Sequence, residues 1–169
     1  MSHLDYPITA AVRLLRERKV EFTPHLYEYE EHGGTRVAAL RLGLPEHAMI
    51  KTLVMETERR RALLVLMHGD CEVSTKQLAR LLGVKTVSPC DERTAQRLTG
   101  YQLGGTSPFG TRTPLPVFVE KSILGLPRIL INGGKRGFLV EIDPRVLRDI
   151  LPVTEVETAV ARSCDSEPE

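Results

Sequence analysis

Tryptophan is absent from this 169-residue chain, and aromatic residues make up only 5% of it. A protein that stacks single-stranded bases on aromatic side chains needs a platform of such residues, so the composition disfavours that binding mode. No hydrophobic run approaches the roughly 18 residues of a membrane span, and the first ten residues lack the basic and apolar segments of a signal peptide. We therefore expect a cytoplasmic protein that has no membrane partner.

Cysteines are few: three of them, far apart, with no CxxC pair. This pattern excludes a disulfide scaffold and a cysteine-based zinc site. No base lies near Cys71 or Cys90 in the sequence, so we interpret both as small buried thiols rather than nucleophiles. His47 and His68 have no evident acidic or cysteine partner at metal-ligand spacing. We therefore expect neither a metal ion nor another cofactor.

A charge excess of one sign is lacking too. Lys and Arg total 23 and Asp and Glu total 22, which gives a net charge of +1. Domains that coat nucleic acid by bulk electrostatics are usually strongly basic, so the balance argues against that class and leaves room only for a local basic patch. Arg59-Arg60-Arg61 is one such cluster, although a cluster of this kind is more often a solvated hairpin turn.

The periodicity of the remaining sequence predicts four or five helices and six or seven strands. Helices are predicted over 8–19 and 35–42, between Ser74 and Gly83, and over 91–98 and 143–151. Strands are predicted over 22–29, 49–56, 61–67, 84–87, 117–120, 128–131 and 138–142.

These elements do not alternate strictly, which disfavours a doubly wound parallel fold. We expect an α/β fold of the α+β type, in which helices surround a mixed, largely antiparallel, barrel-like sheet. The hydrophobic fraction of 41% supports one globular domain, assigned to residues 1–160. The polar, acidic segment 161–169 is expected to be a disordered tail.

Lys51 is the first residue that suggests chemistry. It interrupts an otherwise apolar strand, and period-2 geometry places it on the same face as Leu53 and Met55. An unpaired ammonium buried there would cost on the order of several kcal/mol, so it must meet an anion, a carbonyl group or a pocket. The alternative is an edge-strand lysine that extends to solvent. A cation on the floor of a cleft suits an anionic or ester-bearing ligand.

Two glycine-rich segments are further candidates. Gly104–Gly110 has three glycines and a proline, and its free N–H groups can bind a phosphate or a developing oxyanion; a structural turn is the alternative. The segment Gly133–Gly137 places Lys135 and Arg136 between two predicted strands. Adjacent cations in a glycine-rich loop can hold phosphate groups, although a hairpin turn is the favoured interpretation.

Residues for nucleophilic catalysis are sparse. The sequence has no nucleophile elbow, and Ser107 precedes a proline inside the glycine-rich segment. An enzyme with this set of residues would depend on positioning and on backbone hydrogen bonds, with the substrate supplying its own reactive group.

Three segments, taken in order, resemble one family. Ile50–Val54, Thr99–Gly110 and Asn132–Gly137 are similar to the YbaK/EbsC group of trans-acting aminoacyl-tRNA deacylases, which are related to the editing domain of bacterial prolyl-tRNA synthetase. The similarity extends over about residues 8–156. It implies a mixed α/β fold with a central barrel-like sheet and the clearance of mischarged tRNA, chiefly Cys-tRNA(Pro). Whether Cys-tRNA(Cys) is also a substrate stays open.

The resemblance also implies roles for individual residues. Lys51 matches the pocket lysine that holds the 3′-terminal adenosine and phosphate region, and Gly104 matches the glycine whose backbone contacts the aminoacyl group. These two are the predicted catalytic residues. The predicted substrate-binding residues are Tyr27, Thr52, Gly105, Ser107, Pro108, Asn132, Lys135 and Arg136.

In the cysteine-specific branch, the resemblance implies that the thiol of the substrate attacks the ester and releases a cyclic thiolactone, so no protein nucleophile is needed. The expected partner is the 3′ acceptor end of an aminoacyl-tRNA, with prolyl-tRNA synthetase as a further candidate. No metal or other cofactor takes part.

Two positions depart from the cysteine-specific pattern. Asn132 stands where such members commonly have serine, and Gly33-Gly34 stands near the place of an aromatic residue that lines the pocket. A deacylase for a different amino acid is therefore an alternative. A non-catalytic module that binds tRNA ends or a synthetase is a second alternative, and an enzyme acting on a free small ester is a third.

Overall fold

The computed structural model describes residues 5–162 of the chain. This part contains five α-helices and ten strands, with two short 3-10 helices at Glu46–Ala48 and Lys121–Gly125. The α-helices are α1 Ala10–Glu17, α2 Gly34–Leu42, α3 Thr75–Leu82, α4 Glu92–Thr99 and α5 Arg145–Ile150. The strands are β1 Thr23–Leu26, β2 Met49–Thr57, β3 Ala62–His68, β4 Cys71–Val73, β5 Val87–Pro89, β6 Val117–Glu120, β7 Ile129–Lys135, β8 Phe138–Ile142, β9 Val153–Val156 and β10 Ala159–Ala161.

Eight strands form one curled, mixed sheet with the order β1-β8-β7-β2-β3-β6-β9, and β5 pairs with β2. The pairs β1–β8, β7–β8, β2–β3 and β2–β5 are antiparallel. The pairs β2–β7, β3–β6 and β6–β9 are parallel. Strands β4 and β10 form a separate antiparallel pair. The predicted mixed α+β fold is confirmed.

Local signals in the sequence set the bounds of the helices. The side chains of Ser74 and Asp91 accept hydrogen bonds from backbone N–H groups in the first turns of α3 and α4, as expected of N-cap residues. Helices α2, α3 and α4 each end at a glycine with left-handed backbone angles, the usual C-terminal signal. No helix within residues 5–162 is long and apolar enough to span a membrane.

In the main hydrophobic core, α1 packs against the inner face of the sheet. The long segment that follows α4 is part of the same core. Leu15, Leu66 and Ile131 are fully buried in this core, and so is Phe109 from the glycine-rich segment. The hydroxyl of Tyr101 donates to the carbonyl oxygen of Phe109. The segment 104–110 is therefore irregular in conformation but anchored at its base.

Some predicted bounds were wrong. The strand predicted over 84–87 lies at Val87–Pro89, and β7 continues to Lys135, so the predicted loop 132–137 is a strand end with a bulge followed by a tight turn. Strands β4, β9 and β10 were not predicted because each has only three or four residues, too few to show the alternation of polar and apolar side chains that identifies a strand. Ala161 ends β10, so the chain continues in regular structure to the first residue of the predicted tail; residues 163–169 lie outside the described residues.

Candidate functional site

A cleft of about 340 Å³ opens between α2, the first half of β2 and the segment 103–106. Its volume falls within the range of about 300–1,000 Å³ that is usual for small-molecule sites. The lining residues are Tyr27, Tyr29, His32, Gly34, Thr35, Ala38, Met49, Ile50, Lys51, Thr52, Leu53, Leu103, Gly104, Thr106, Leu130, Asn132 and Leu139.

Lys51 is half-buried in this cleft and comes from β2, in the middle of the sheet. Its Nζ atom donates to the carbonyl oxygen of Cys71, at 2.5 Å. Burial lowers the pKa of the Lys51 ammonium, and the nearby Arg162 lowers it further. Lys51 therefore lies in a pocket and bonds a carbonyl group. These are two of the three environments that the sequence predicts for a buried ammonium at this position.

Gly104 lies at the mouth of the same cleft and is exposed. Its φ of +85° belongs to the region that favours glycine, and a Cβ atom there would lie 2.6 Å from the hydroxyl oxygen of Tyr29. Its carbonyl oxygen accepts a hydrogen bond of 3.1 Å from Nδ2 of Asn132. Among residues 5–162 no acceptor pairs with its N–H group, so this donor is available to a ligand.

The turn between β7 and β8 supports the segment that carries Gly104. Oδ1 of Asn132 accepts from the N–H groups of Gly134 and Lys135, at 2.7 and 3.2 Å, which fixes the bulge in β7. Arg136 donates through Nε to the carbonyl oxygen of Leu103 at 2.8 Å, and its guanidinium lies 4.9 Å from the centre of the Tyr29 ring. Arg136 therefore holds the rim of the cleft in place.

The structure brings five of the ten predicted site residues to the cleft: Tyr27, Lys51, Thr52, Gly104 and Asn132. The other five, Gly105, Ser107, Pro108, Lys135 and Arg136, do not line it. Ser107 is fully buried and its hydroxyl oxygen accepts from the N–H group of Phe109, which corrects its assignment to the ligand surface. Gly105 packs against the backbone of Lys135 and Arg136, where a Cβ atom would lie 2.9 Å from the nearest backbone nitrogen.

Sequence reasoning missed several lining residues. Tyr29 follows Tyr27 by two positions, so the period-2 geometry of an extended segment already placed both rings on one side. His32, Thr35 and Thr106 gave no such signal, because the sequence around them does not show which side of a loop or of a helix start faces the cleft.

Burial raises the pKa of Tyr27, and Tyr29 makes a smaller contribution in the same direction.

Thr52 stands in a wall between two cavities. It lines the cleft and also a second, mostly apolar cavity of about 300 Å³ that is bounded by β2, β5 and α4. Its hydroxyl oxygen is buried and has no hydrogen-bond partner within the described residues. A buried hydroxyl without a partner is costly, so this position carries an unmet hydrogen-bonding group.

The surroundings of His47 correct one expectation from the sequence. His47 was predicted to lack an acidic or cysteine partner, yet its Nδ1 lies 2.8 Å from Asp70, and the thiol of Cys71 lies 3.5 Å from the same carboxylate. Asp70 and Cys71 are more than 20 residues from His47 in the sequence, so no local pattern reveals them as its neighbours. These three side chains form a group with metal-ligand geometry, but Asp70 already engages both His47 and Cys71 by hydrogen bonds.

The two described cysteines are poor nucleophiles. Burial raises the pKa of the Cys71 thiol, and Asp70 raises it further. Burial and the carboxylate of Glu56 raise the pKa of Cys90 to about 11. Because the thiolate is the reactive form of cysteine, both environments suppress reactivity. Neither residue lines the cleft.

The comparisons with known proteins agree on one family. A family model, aminoacyl-tRNA editing domain, matches residues 32–150. The protein named "Putative Cys-tRNA(Pro)/Cys-tRNA(Cys) deacylase EbsC" of Enterococcus faecalis is 27% identical over 140 residues, which is 82% of this chain and 85% of that protein. A proline–tRNA ligase of Brachyspira hyodysenteriae is 30% identical over 86 residues, which is 51% of this chain and only 15% of the ligase.

A solved structure agrees with this result at the level of the fold. The "Crystal structure of a putative trans-editing enzyme for prolyl tRNA synthetase" superimposes with a TM-score of 0.78 at 23% identity, over 92% of this chain and all of the other. Identity this low supports the fold alone.

The chain belongs to the aminoacyl-tRNA editing-domain family, since the matched range covers well over half of its length. It is an aminoacyl-tRNA editing deacylase, and the YbaK/EbsC resemblance predicted from the sequence is confirmed. The matched range runs from α2 to α5 and includes all the residues that line the cleft except Tyr27 and Tyr29.

The lowered pKa of Lys51 predicts a pH dependence of stability. Between the lowered pKa of the folded state and the ordinary value of about 10.4, the unfolded chain binds a proton that the folded chain does not, so folding becomes more favourable as pH rises. We expect the free energy of unfolding of the wild type, relative to Lys51→Met, to increase between pH 7 and pH 10 in urea titrations. The matched control is Lys76→Met, on the exposed side of α3, which should show a smaller change. An equal pH trend in both comparisons would contradict the burial of Lys51.

Proposed function

We propose that this chain is a trans-editing deacylase that clears Cys-tRNA(Pro). One observation carries the proposal: Lys51 and Gly104, whose N–H group has no acceptor within residues 5–162, line one cleft, and no cysteine or serine is among the described residues of its wall. Such a site positions an ester and polarises it but offers neither a cysteine thiol nor a serine hydroxyl as the nucleophile. The name of the Enterococcus faecalis relative, which specifies Cys-tRNA(Pro) and Cys-tRNA(Cys), supports the same substrate class.

In this proposal, Lys51 attracts the 3′-terminal adenosine and phosphate region of the tRNA, because an ammonium bonded only to a neutral carbonyl keeps its charge available to an anion. The N–H group of Gly104 donates to the ester carbonyl, which gains negative charge in the transition state. Tyr27 and Asn132 bound the space between these two groups.

The proposed reaction uses the thiol of the cysteinyl group as the nucleophile. The sulfur attacks the ester carbonyl carbon and forms a C–S bond, and the tetrahedral intermediate then breaks its C–O bond to the ribose. The thiol proton passes to the departing oxygen, which becomes the free hydroxyl of the tRNA. The other product is a cyclic thiolactone, so this step consumes no water. The protein contributes orientation, which brings sulfur and carbon within reacting distance.

This chemistry discriminates proline from cysteine by reactivity. The two side chains are similar in volume, so apolar contacts alone separate them by no more than about 10–200-fold. Proline has no thiol, and a pocket that orients a thiol toward the carbonyl therefore leaves the correctly charged tRNA intact.

A deacylase for another amino acid is the second candidate, and the wall formed by α2 favours considering it. At this wall Gly34 has no side chain and Ala38 has only a methyl group, and a Cβ atom at Gly34 would meet no atom within 4 Å. The open space at this wall admits an aminoacyl group of a different shape.

The role of Lys51 is tested by Lys51→Ala, with Lys76→Ala as the matched control. Removal of one charge-assisted interaction with the substrate is expected to lower kcat/KM for Cys-tRNA(Pro) by about tenfold or more. The melting temperature is measured beside the rate, to separate an effect on chemistry from an effect on folding. Unchanged turnover in a folded Lys51→Ala protein would remove Lys51 from the mechanism.

The role of the substrate thiol is tested by comparing cysteinyl-tRNA(Pro) with its S-methylated form and with alanyl-tRNA(Pro). Without a free thiol the intramolecular route is closed, and we expect deacylation to slow by about two orders of magnitude or more. Mass spectrometry should detect the thiolactone only with the free thiol. Equal rates on all three esters would leave a deacylase but favour the second candidate.

Association with prolyl-tRNA synthetase is part of the proposal, because a net charge of +1 gives little general attraction for tRNA. The similarity to proline–tRNA ligases supports this partner. Tagged protein is expected to retain the synthetase in a pull-down when tRNA(Pro) is present, and less of it after ribonuclease treatment. Retention of neither synthetase nor tRNA would argue that the deacylase works alone.

A further inference from the structure

A groove beside α4 neighbours the second cavity, which in turn neighbours the cleft. The cleft and the second cavity share Thr52, Leu53, Leu103 and Thr106 as walls. The second cavity shares Glu92 and Gln96 with an open groove on the outer side of α4. The three spaces therefore lie next to one another, divided by shared walls, and the groove is the outermost of them.

Three arginines line this groove. Arg93 and Arg97 lie one turn apart on α4. Arg112 reaches the groove from the segment after α4, and its Nε lies 3.6 Å from the position of a Cβ atom on Gly100. All three side chains are exposed. Glu92 is the acidic residue in the lining, and Asp91 at the start of α4 is occupied in capping the helix.

The arginines of the groove belong to no ion pair within residues 5–162. The ion pairs there engage five other arginines, namely Arg41, Arg128, Arg145, Arg148 and Arg162. Arg97 acts electrostatically on the nearby carboxylate of Asp91 without forming an ion pair with it. Guanidinium groups that form no ion pair and line one concave surface suit the bidentate binding of phosphate oxygens.

We propose that this arginine groove binds backbone phosphates of the tRNA acceptor strand while the aminoacyl ester lies in the cleft. The inference rests on the proposed function, which places the 3′ end of the tRNA in the cleft. Because the chain as a whole has a charge of +1, affinity for a polyanion must come from a local surface. The groove is such a surface, and it shares lining residues with the cavity that neighbours the cleft.

The turn Arg59-Arg60-Arg61 is the competing basic surface. It follows β2 at the end opposite Lys51 and Thr52, and at about 3.3 Å per residue it lies roughly 20 Å along the strand from Thr52. No cavity wall connects it to the cleft among the described residues. The groove beside α4 is therefore the better placed of the two.

The test uses the triple variant Arg93→Glu, Arg97→Glu, Arg112→Glu, and a second triple variant with alanine in case charge reversal impairs folding. Arg80→Glu on the exposed side of α3 is the matched control. Binding of uncharged tRNA(Pro) is measured by fluorescence anisotropy between about 50 and 200 mM salt, a range over which phosphate binding by cations weakens steeply. We expect affinity to fall by about tenfold or more and the salt slope to decrease by about one for each phosphate that is no longer neutralised.

Catalysis gives a second, independent measurement. On Cys-tRNA(Pro) the triple variants are expected to raise KM with little change in kcat, whereas cleavage of 3′-cysteinyl-adenosine, which has no acceptor-strand phosphates, should match the wild type. Equal tRNA affinity in the triple variants and the control would overturn the inference, and so would a decrease seen only on reversing Arg59 and Arg61. A wild-type protein that shows arginine-dependent tRNA binding but cleaves neither ester would instead contradict the proposed function and leave the groove standing.

Discussion

The site depends on one constraint, the accommodation of a lysine ammonium in a sheet that is otherwise apolar at that point. Lys51 lies on β2, whose backbone pairs with β3 and β7 on its two sides, so the ammonium must find its own oxygen. It reaches the carbonyl of Cys71, and no ion pair within residues 5–162 involves it. Two carboxylates, Glu72 and then Glu46, act on it electrostatically, but neither forms an ion pair with it, and Glu46 is paired with Arg162. The charge of Lys51 is therefore solvated by a dipole and stays available to an anion.

The second element of the proposed mechanism is the backbone N–H group of Gly104, which is effective only if it is held rigidly. A donor stabilises a developing oxyanion only if it is already oriented, because reorganisation during the reaction costs free energy. Asn132 holds the carbonyl of Gly104, Arg136 holds that of Leu103, and buried Phe109 anchors the far end of the segment. The residues that were predicted to bind substrate but do not line the cleft form much of this support.

The local parts of this arrangement could be predicted from the sequence, and the long-range parts could not. Caps such as Ser74 and Asp91, the glycines that end helices, and the exceptional Lys51 are visible within a window of a few residues. The bonds from Asn132 to Gly104 and from Arg136 to Leu103 join residues 28 and 33 positions apart. Ser107 shows the same limit: a glycine-rich segment has no period, so its pattern does not tell which side chains face the ligand and which face the core.

The proposed mechanism explains why a net charge of only +1 suits a chain whose substrate is a polyanion. An editing enzyme must release correctly charged tRNA quickly, and strong general attraction would slow that release because affinity differences lie mostly in the dissociation rate. In the proposal, Lys51 in the cleft and the arginine groove beside α4 act together only when the ester and the acceptor strand are both bound. The reactivity of the bound ester then decides the outcome, so the proposed mechanism requires neither a protein nucleophile nor tight binding.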